Sequence, residues 1–179
     1  YCVVTSNCTS ALHLSILSLG LKKNDEVICP ALSFISPANM VILSNLKLVL
    51  VDIDPFTLNI DENKIEKKIT NKTKAIIVVH QFGHSANMQK ILKIKKKYNL
   101  KLIEDNAESI GGKFKDKLNG TFGDLSTLSF FVNKIITTGE GGAILTNSKK
   151  LYFKCLEMRD HGMSRKKKYY HKMLGFNYR

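Results

Sequence analysis

Short hydrophobic runs alternate with amphipathic segments along most of the sequence, and this alternation limits the possible folds more than any other feature. Apolar runs of about four to eight residues are typical of buried strands, while apolar residues spaced by three or four indicate helices. Strands that alternate with helices favour an α/β domain with a largely parallel sheet, because parallel strands need crossover connections. The expected strands are residues 2–5, 26–29, 48–53, 75–80, 100–104, 125–132 and 143–146, and the expected helices are residues 9–19, 36–44, 62–68, 88–98 and 151–159.

The composition fits one domain. A chain of 179 residues can bury a sizeable core, and a hydrophobic content of 44% is typical of globular proteins. No apolar run reaches the roughly 20 residues that span a bilayer, and no signal peptide opens the chain, so we expect a cytoplasmic protein without a membrane partner.

Cysteines at positions 2, 8, 29 and 155 lack CxxC and metal-ligand spacing, which favours reduced thiols and no metal site. Because Tyr1 enters a strand almost directly and no recognisable stop follows Tyr178, we expect a fragment of a longer chain.

The chain is strongly basic, with 28 Lys and Arg against 15 Asp and Glu and a net charge of +13. Such a charge raises the question of nucleic acid binding. Most lysines, however, lie on predicted helix faces, where a solvated surface explains them. The one dense cluster is 165–168, followed by Tyr169 and Tyr170, and no nucleic-acid-binding motif accompanies it. We therefore expect no nucleic acid partner and favour an anionic small molecule.

Lys134 has a setting unlike that of the other lysines. It follows the apolar run 125–132 and precedes a Thr-Thr-Gly-Glu-Gly-Gly turn and a second predicted strand. Desolvation disfavours the ammonium form, and this is how a lysine becomes a nucleophilic amine for Schiff-base chemistry. Alternatively, the side chain extends from a strand end to solvent. This stretch alone leaves both interpretations open.

Polar and aromatic residues follow several predicted strands, at the edge of the sheet where ligands bind in open α/β folds. The turn 5–10 lies at a helix N-terminus, whose free N–H groups favour phosphate, although an ordinary helix cap also explains it. Phe34 follows the second strand and could either stack on a planar ligand or pack in the core. His80 ends the fourth strand and is interpreted as a structural histidine.

Asp105 follows the predicted strand 100–104, and Glu108 lies three residues on. The Asp105 carboxylate could cap the following turn, or it could face a cationic ligand group. A pyridine ring that serves as an electron sink needs a protonated nitrogen, which a carboxylate partner maintains. Together with Lys134 and the turn at Thr9, Asp105 would complete a pyridoxal 5'-phosphate (PLP) site at one edge of the sheet.

Four groups of residues resemble the DegT/DnrJ/EryC1/StrS family of PLP-dependent sugar aminotransferases. They are 6–14, 52–55, 104–109, and 129–134 together with 137–142, in the family's order. The resemblance covers residues 2–179. It implies an aspartate-aminotransferase-like (fold type I) large domain, a three-layer sandwich with a mostly parallel sheet, over residues 1–179. We expect it to be truncated at both ends and poorly active alone.

The resemblance implies roles for the residues at the sheet edge. Lys134 would bind the cofactor covalently, Asp105 would contact the pyridine nitrogen, and Glu108 would lie near the phenolic oxygen. The phosphate would be held by Ser129 and by Thr9 with its neighbour Ser10.

Two further residues complete the expected cofactor site. Phe34 would stack on the pyridine face, and Asn177 would reach the phosphate of the partner subunit in a homodimer. Cys8 departs from the family pattern, which mostly has glycine at this position, so its Cβ is expected to crowd the phosphate turn.

The implied reaction transfers an amino group from an amino acid, usually glutamate, to a keto group on a nucleotide-diphosphate sugar. Such reactions serve surface polysaccharide or amino-sugar biosynthesis. One alternative is a deoxysugar dehydratase of the same fold, but those relatives carry histidine where this chain has Lys134. Another alternative is a non-catalytic remnant or a basic binding module.

Overall fold

The computed structural model describes all residues from Tyr1 to Arg179. Nine strands and five α-helices make up the chain. The strands are β1 (Cys2–Thr5), β2 (Glu26–Pro30), β3 (Lys47–Val51), β4 (Thr73–Val79), β5 (Lys101–Asp105), β6 (Lys113–Phe114), β7 (Lys117–Leu118), β8 (Leu125–Ser129) and β9 (Gly142–Leu145). The helices are α1 (Cys8–Ser18), α2 (Ser36–Leu43), α3 (Glu62–Ile65), α4 (Met88–Tyr98) and α5 (Lys149–Arg159).

Seven strands form one sheet in the order β1-β9-β8-β5-β4-β2-β3. The neighbours from β3 through β8 pair in parallel, while β9 is antiparallel to both β8 and β1. Six strands therefore run in one direction and only β9 opposes them. The predicted, mostly parallel sheet is confirmed.

Alternation along β4 explains why the fold has three layers. Ala75 and Ile77 belong to a buried cluster that includes residues of α1, α2 and α5. Ile76 and Val78 belong to a second cluster, which includes residues of α3 and α4. Successive strand residues point to opposite faces, so a strand covered on both sides must be apolar throughout. The sheet is thus sandwiched between two layers of helices.

Some predicted boundaries were wrong. The strand predicted over 125–132 ends at Ser129, and the following residues form a loop. The helix predicted over 62–68 is an α-helix only to Ile65 and continues as a 3₁₀ turn over Glu66–Lys68. The short hairpin β6–β7 was not predicted. None of the helices is both long and apolar enough to cross a membrane.

The start of α1 is fixed by its cap, which matters for the site described below. Asn7 is the N-cap residue, and its side-chain oxygen accepts a hydrogen bond of 2.8 Å from the Ser10 amide. This bond engages one of the N–H groups that a helix N-terminus leaves free. The position of the first turn of α1 relative to the end of β1 is set in this way.

Candidate active site

The parallel strands bring the candidate residues to one edge of the sheet. β1, β2, β5 and β8 end there at Thr5, Pro30, Asp105 and Ser129. β9 begins at the same edge with Gly142 because it runs in the opposite direction. The carboxyl edge of an open parallel sheet is the usual place for ligands.

Lys134 lies in the loop that joins β8 to β9, five residues beyond the last residue of β8. The expectation that core strands flank it directly was therefore wrong. Its side chain is nevertheless 20% exposed, and its Nζ is 3.5 Å from Oε1 of Glu108. The other Glu108 oxygen accepts a hydrogen bond of 2.9 Å from the Phe82 amide. Glu108 thus lies beside the lysine amine at the sheet edge, which favours a reactive amine over a side chain that extends freely into solvent.

Asp105 is buried at the end of β5. Its Oδ1 accepts a hydrogen bond of 3.0 Å from the Ala107 amide and lies 3.9 Å from Sγ of Cys8. No hydrogen bond within the chain engages Oδ2. Oδ1 therefore caps the following turn, while Oδ2 stays available to a ligand, so the two interpretations of this carboxyl are compatible.

Burial raises the pKa of Asp105 above its usual range, while the Ala107 amide and the charge of Lys134 oppose this change. A buried carboxylate lacks solvation and gains stability from a cation placed beside it. A protonated ring nitrogen is such a cation. The electrostatic setting of Asp105 thus fits a pyridinium partner.

The first turn of α1 offers unused hydrogen-bond donors. The amides of Cys8 and Thr9 donate no hydrogen bond within the chain. The Thr9 hydroxyl lies 2.8 Å from that of Ser36, and the Ser10 hydroxyl lies 3.2 Å from that of Ser6. Free amides at a helix N-terminus together with hydroxyl groups are suited to a phosphate.

Gly142 shows how closely β9 approaches this turn. A Cβ at this position would lie 2.5 Å from the Asn7 carbonyl carbon and 2.6 Å from the Cys8 amide nitrogen. Contacts this short with backbone atoms cannot be relieved by a rotamer change. The glycine therefore allows the α1 turn to pack against the start of β9. Gly142 is the register partner of Ser129 at the end of β8, where the Ser129 hydroxyl accepts a bond of 3.4 Å from the Phe131 amide.

Phe34 and His80 have opposite environments. The Phe34 side chain is 76% exposed, so the alternative that it packs in the core was wrong. His80 is fully buried, and its Nδ1 accepts a hydrogen bond of 3.1 Å from the Ala86 amide. The proton is therefore on Nε2, which donates to Glu104 over 3.2 Å. Both ring nitrogens have partners, as expected of a structural histidine.

Asn177 is not brought together with the other candidates by contacts within the chain. It is exposed, forms an isolated antiparallel bridge with Asp160, and accepts a hydrogen bond of 3.2 Å from Nε of Arg179. An exposed position is compatible with contact to a second subunit.

Several contacts at the site were missed from the sequence. The Cys8 sulfur lies 3.9 Å from Asp105 Oδ1, a neighbour that the sequence did not indicate. The expected crowding of the phosphate turn by the Cys8 Cβ stays a prediction. Gln81 is buried, and its side-chain amide donates a bond of 2.5 Å to the Leu32 carbonyl, which ties the turn after β4 to the loop that carries Phe34. Thr127 is the register partner of Asp105 in the β5–β8 pair. The register of the sheet reveals the Thr127 neighbour, while the Cys8 and Gln81 contacts depend on how α1 and the loops pack.

The sheet carries a lysine, a carboxylate and a helix N-terminus at its carboxyl edge. This combination of strand order and site is that of the fold type I PLP enzymes. The chain belongs to the DegT/DnrJ/EryC1/StrS aminotransferase family, whose model matches residues 1–179.

Three comparisons describe its similarity to known proteins. It is 48% identical to GDP-perosamine synthase of Escherichia coli O157:H7 over 100% of this chain and 49% of the relative. The crystal structure of Bacillus subtilis NtdA with bound cofactor PMP matches 99% of the chain and 40% of that protein, with 40% identity and a TM-score of 0.92. Escherichia coli GDP-4-keto-6-deoxy-D-mannose-3-dehydratase with bound hydrated PLP matches 100% of the chain and 52% of that protein, with 34% identity and a TM-score of 0.96. The chain spans about half the length of the curated relatives that it matches.

Proposed function

We propose that residues 1–179 are the cofactor-binding large domain of a PLP-dependent aminotransferase that acts on a nucleotide-diphosphate-linked keto sugar. The observation that carries this proposal is the 3.5 Å contact between Lys134 and Glu108 at the same sheet edge as the buried Asp105. A reactive amine and a carboxylate suited to a pyridinium are the two groups that PLP chemistry needs from the protein.

When bound, PLP supplies the electron sink that stabilises negative charge at the carbon next to the transferred nitrogen. The residues of the chain do the rest. Asp105 would keep the ring nitrogen protonated, with Oδ2 free of hydrogen bonds within the chain. The amine of Lys134 would take a proton from the substrate carbon that bears the nitrogen and deliver it to the cofactor carbon bonded to the same nitrogen. Glu108 keeps this amine close to the reacting atoms through its 3.5 Å contact.

The remaining candidate residues would bind the cofactor and orient it. The amides of Cys8 and Thr9 and the hydroxyls of Thr9, Ser10 and Ser129 hold the phosphate. Phe34, whose ring is exposed beyond β2, would stack on the pyridine and exclude water from it. Asn177 reaches the phosphate in the partner subunit of a homodimer. Exposed apolar side chains in the loop after β8, including Phe131 and Val132, support burial against a second subunit.

The substrate proposal rests on relatives and on charge. GDP-perosamine synthase of Escherichia coli is the relative at 48% identity, so a GDP-linked keto sugar is the first substrate to test, with glutamate as the amino donor. The net charge of +13 favours a pyrophosphate-bearing substrate. The product would be a nucleotide-linked amino sugar, which places the reaction in surface polysaccharide or amino-sugar biosynthesis.

A dehydratase is the main alternative, and the fold does not separate the two activities, since a dehydratase structure matches with a TM-score of 0.96. Lys134 favours the transferase, because the dehydratase relatives are expected to have histidine at this position. A lysine amine can bind the cofactor covalently, which an imidazole does not do.

The proposal is tested with the full-length protein and a panel of GDP- and UDP-linked 4-keto and 3-keto hexoses. We expect glutamate-dependent formation of an amino sugar from at least one keto sugar, with 2-oxoglutarate released in equal amount. Mass spectrometry of the sugar nucleotide measures the gain of nitrogen, and a coupled glutamate dehydrogenase assay measures the 2-oxoglutarate. Loss of a hydroxyl without gain of nitrogen would instead identify a dehydratase, and absence of PLP binding would support the binding module.

The basic cluster Arg165–Lys168 supplies a further prediction. The Arg165 guanidinium lies over the Phe153 ring at 4.1 Å, and Lys167 lies over Tyr170 at 5.3 Å, so aromatic side chains orient both cations. If they contact the pyrophosphate, the double change Arg165→Gln and Lys167→Gln should raise KM for the nucleotide sugar about tenfold, since charge-assisted hydrogen bonds contribute about 1.5 kcal/mol or more. KM for the amino donor should stay unchanged.

The matched control for this cluster is Lys93→Gln with Lys96→Gln, which removes two exposed charges from α4. It separates a local contact from the effect of lower net charge. Steady-state kinetics with each substrate varied in turn give both constants. Equal increases in KM for the control and the cluster variants would assign the cluster to solvated surface.

A further inference from the structure

The segment 176–178 carries Asn177 and is tied by backbone hydrogen bonds to two helices. The Tyr178 amide donates a bond of 3.1 Å to the carbonyl of Arg159, the last residue of α5. The Tyr178 carbonyl accepts a bond of 2.9 Å from the Ser6 amide, directly before the N-cap of α1. The segment therefore joins the end of α5 to the turn whose next amides are free for a phosphate.

The side chains that flank Asn177 pack against α1. The rings of Phe176 and Tyr178 are stacked, with centroids 4.8 Å apart and planes inclined by 11°. His13 of α1 is buried, its ring lies 4.9 Å from that of Phe176, and its Nδ1 lies 3.1 Å from the Tyr178 hydroxyl. Burial lowers the pKa of His13 and raises the pKa of Tyr178, so the two groups are neutral at physiological pH and share one hydrogen bond.

Asn177 faces away from α1. In an extended segment, residues i and i+2 lie on one side and the residue between them lies on the other. Phe176 and Tyr178 occupy the side of α1, while Asn177 is exposed and forms an isolated antiparallel bridge with Asp160. A polar side chain presented outward by a well-anchored segment is suited to a contact that requires a fixed position.

We propose that Tyr178 and His13 are positioning residues that couple the two cofactor sites of the homodimer. Their hydrogen bond holds the segment 176–178 on α1. Within its own subunit, the segment fixes the phosphate turn through the Ser6 amide. Toward the partner subunit, the same segment places Asn177 at the phosphate. This inference rests on the proposed function, from which it takes the homodimer and the role of Asn177, and it adds that one bond inside a subunit sets cofactor affinity in both.

Hybrid dimers of the full-length protein test this inference, because Lys134→Ala in one subunit leaves only the other able to bind PLP covalently. Co-expression of two differently tagged chains yields such dimers. In the own-site hybrid, Tyr178→Phe lies in the subunit that keeps Lys134. In the partner-site hybrid, Tyr178→Phe lies in the Lys134→Ala subunit. Titration of the PLP-free hybrids, followed by the absorbance of the lysine adduct, gives the dissociation constant at the intact site.

We expect Tyr178→Phe to weaken PLP binding about threefold to tenfold in both hybrids, because phenylalanine keeps the ring stacking but leaves the His13 ring without its partner. Asn177→Ala should act only in the partner-site hybrid. Adding Tyr178→Phe to Asn177→Ala there should cause no further loss, because the effect on the partner passes through Asn177. The matched control Tyr98→Phe removes a hydroxyl at the end of α4, at the opposite edge of the sheet, and should change neither constant.

The outcomes separate this inference from the proposed function. A wild type that is monomeric or shows no saturable PLP binding would contradict the proposed function itself. If the wild-type dimer binds PLP but Tyr178→Phe weakens binding in the own-site hybrid alone, or in neither hybrid, only the coupling is wrong. A loss in the partner-site hybrid that adds to that of Asn177→Ala would indicate general weakening of the dimer and would also overturn the coupling. Should Tyr178→Phe fail to fold, His13→Phe removes the same bond from the side of α1 and is tested in the same hybrids.

Discussion

Lys134→Ala should abolish covalent attachment of PLP and lower transaminase activity by about 10⁴-fold or more, while Lys93→Ala should leave both unchanged. Alanine removes the nucleophile and the proton carrier together, and general acid–base catalysis alone contributes about 10²- to 10⁴-fold. The structure supports the choice of this lysine, because its amine lies 3.5 Å from Glu108 and only 20% of its side chain is exposed. The expected loss is therefore specific to one of many lysines.

Borohydride reduction followed by peptide mapping measures the attachment directly. Lys93 is the matched control, since it is exposed on α4 and makes no ion pair. Glu108 keeps its hydrogen bond from the Phe82 amide when Lys134 is absent, so we expect Lys134→Ala to fold normally. A cofactor-labelled peptide without Lys134 would show that the active lysine is another residue.

The order of strands and helices could be predicted because it depends on local periodicity. Helix α4 begins at Met88 and ends at Tyr98, as predicted from its apolar spacing. β8 was predicted three residues too long, because Phe130, Phe131 and Val132 continue the apolar run beyond Ser129. Phe131 and Val132 are exposed in the loop. Hydrophobicity alone does not distinguish a buried strand from an apolar loop at a ligand or subunit surface.

The site was predictable only in part, for a different reason. The carboxyl edge of a parallel sheet gathers strand-end residues, so the convergence of Asp105 and Lys134 follows from fold class. Contacts across the sheet do not follow, because they depend on register. Cys8 and Asp105 are separated by 97 residues in the chain, and their contact requires α1 to pack against the end of β5. The resemblance assigned roles to Thr9, Ser129 and Asn177, and these remain predictions.

The Glu108 contact illustrates what side-chain geometry adds. The resemblance placed Glu108 near the phenolic oxygen of the cofactor, which predicts one neighbour. In the structure its two oxygens engage two different elements, the Lys134 amine and the Phe82 amide. Phe82 has a positive φ of 51°, which is uncommon for a bulky residue. The bond from its amide links this conformation to the site, a connection that no sequence pattern reveals.

Asp105→Asn should spare the fold and remove most of the activity, about 10²-fold or more in kcat. An amide cannot hold the pyridinium proton as a carboxylate does, so the electron sink is weaker. Asparagine can still accept the hydrogen bond from the Ala107 amide through its side-chain oxygen. The loss should therefore fall on kcat, with little effect on the packing of the end of β5.

The melting temperature of the PLP-free protein supplies a second, independent prediction for Asp105→Asn. Burial raises the pKa of Asp105 in the folded state, so the folded state holds this proton more tightly than the unfolded chain. The carboxylate therefore destabilises the PLP-free fold as pH rises above the unfolded pKa of about 4. Asp105→Asn lacks this loss, so at neutral pH the PLP-free variant should melt at or above the wild-type temperature. Asp116→Asn, at an exposed position between β6 and β7, is the matched control and should change neither property.

Together the two measurements separate a cofactor role from a structural one. If the carboxyl served only to cap its turn, Asp105→Asn would leave turnover per folded molecule intact, because the asparagine oxygen still accepts the Ala107 bond. If the carboxyl serves the ring nitrogen, turnover falls about 100-fold while the melting temperature without PLP is unchanged or higher. Adding PLP should then stabilise the wild type more than Asp105→Asn, because only the carboxylate gains a cationic partner. Near-wild-type turnover in Asp105→Asn would contradict the assignment of this residue to the pyridine nitrogen.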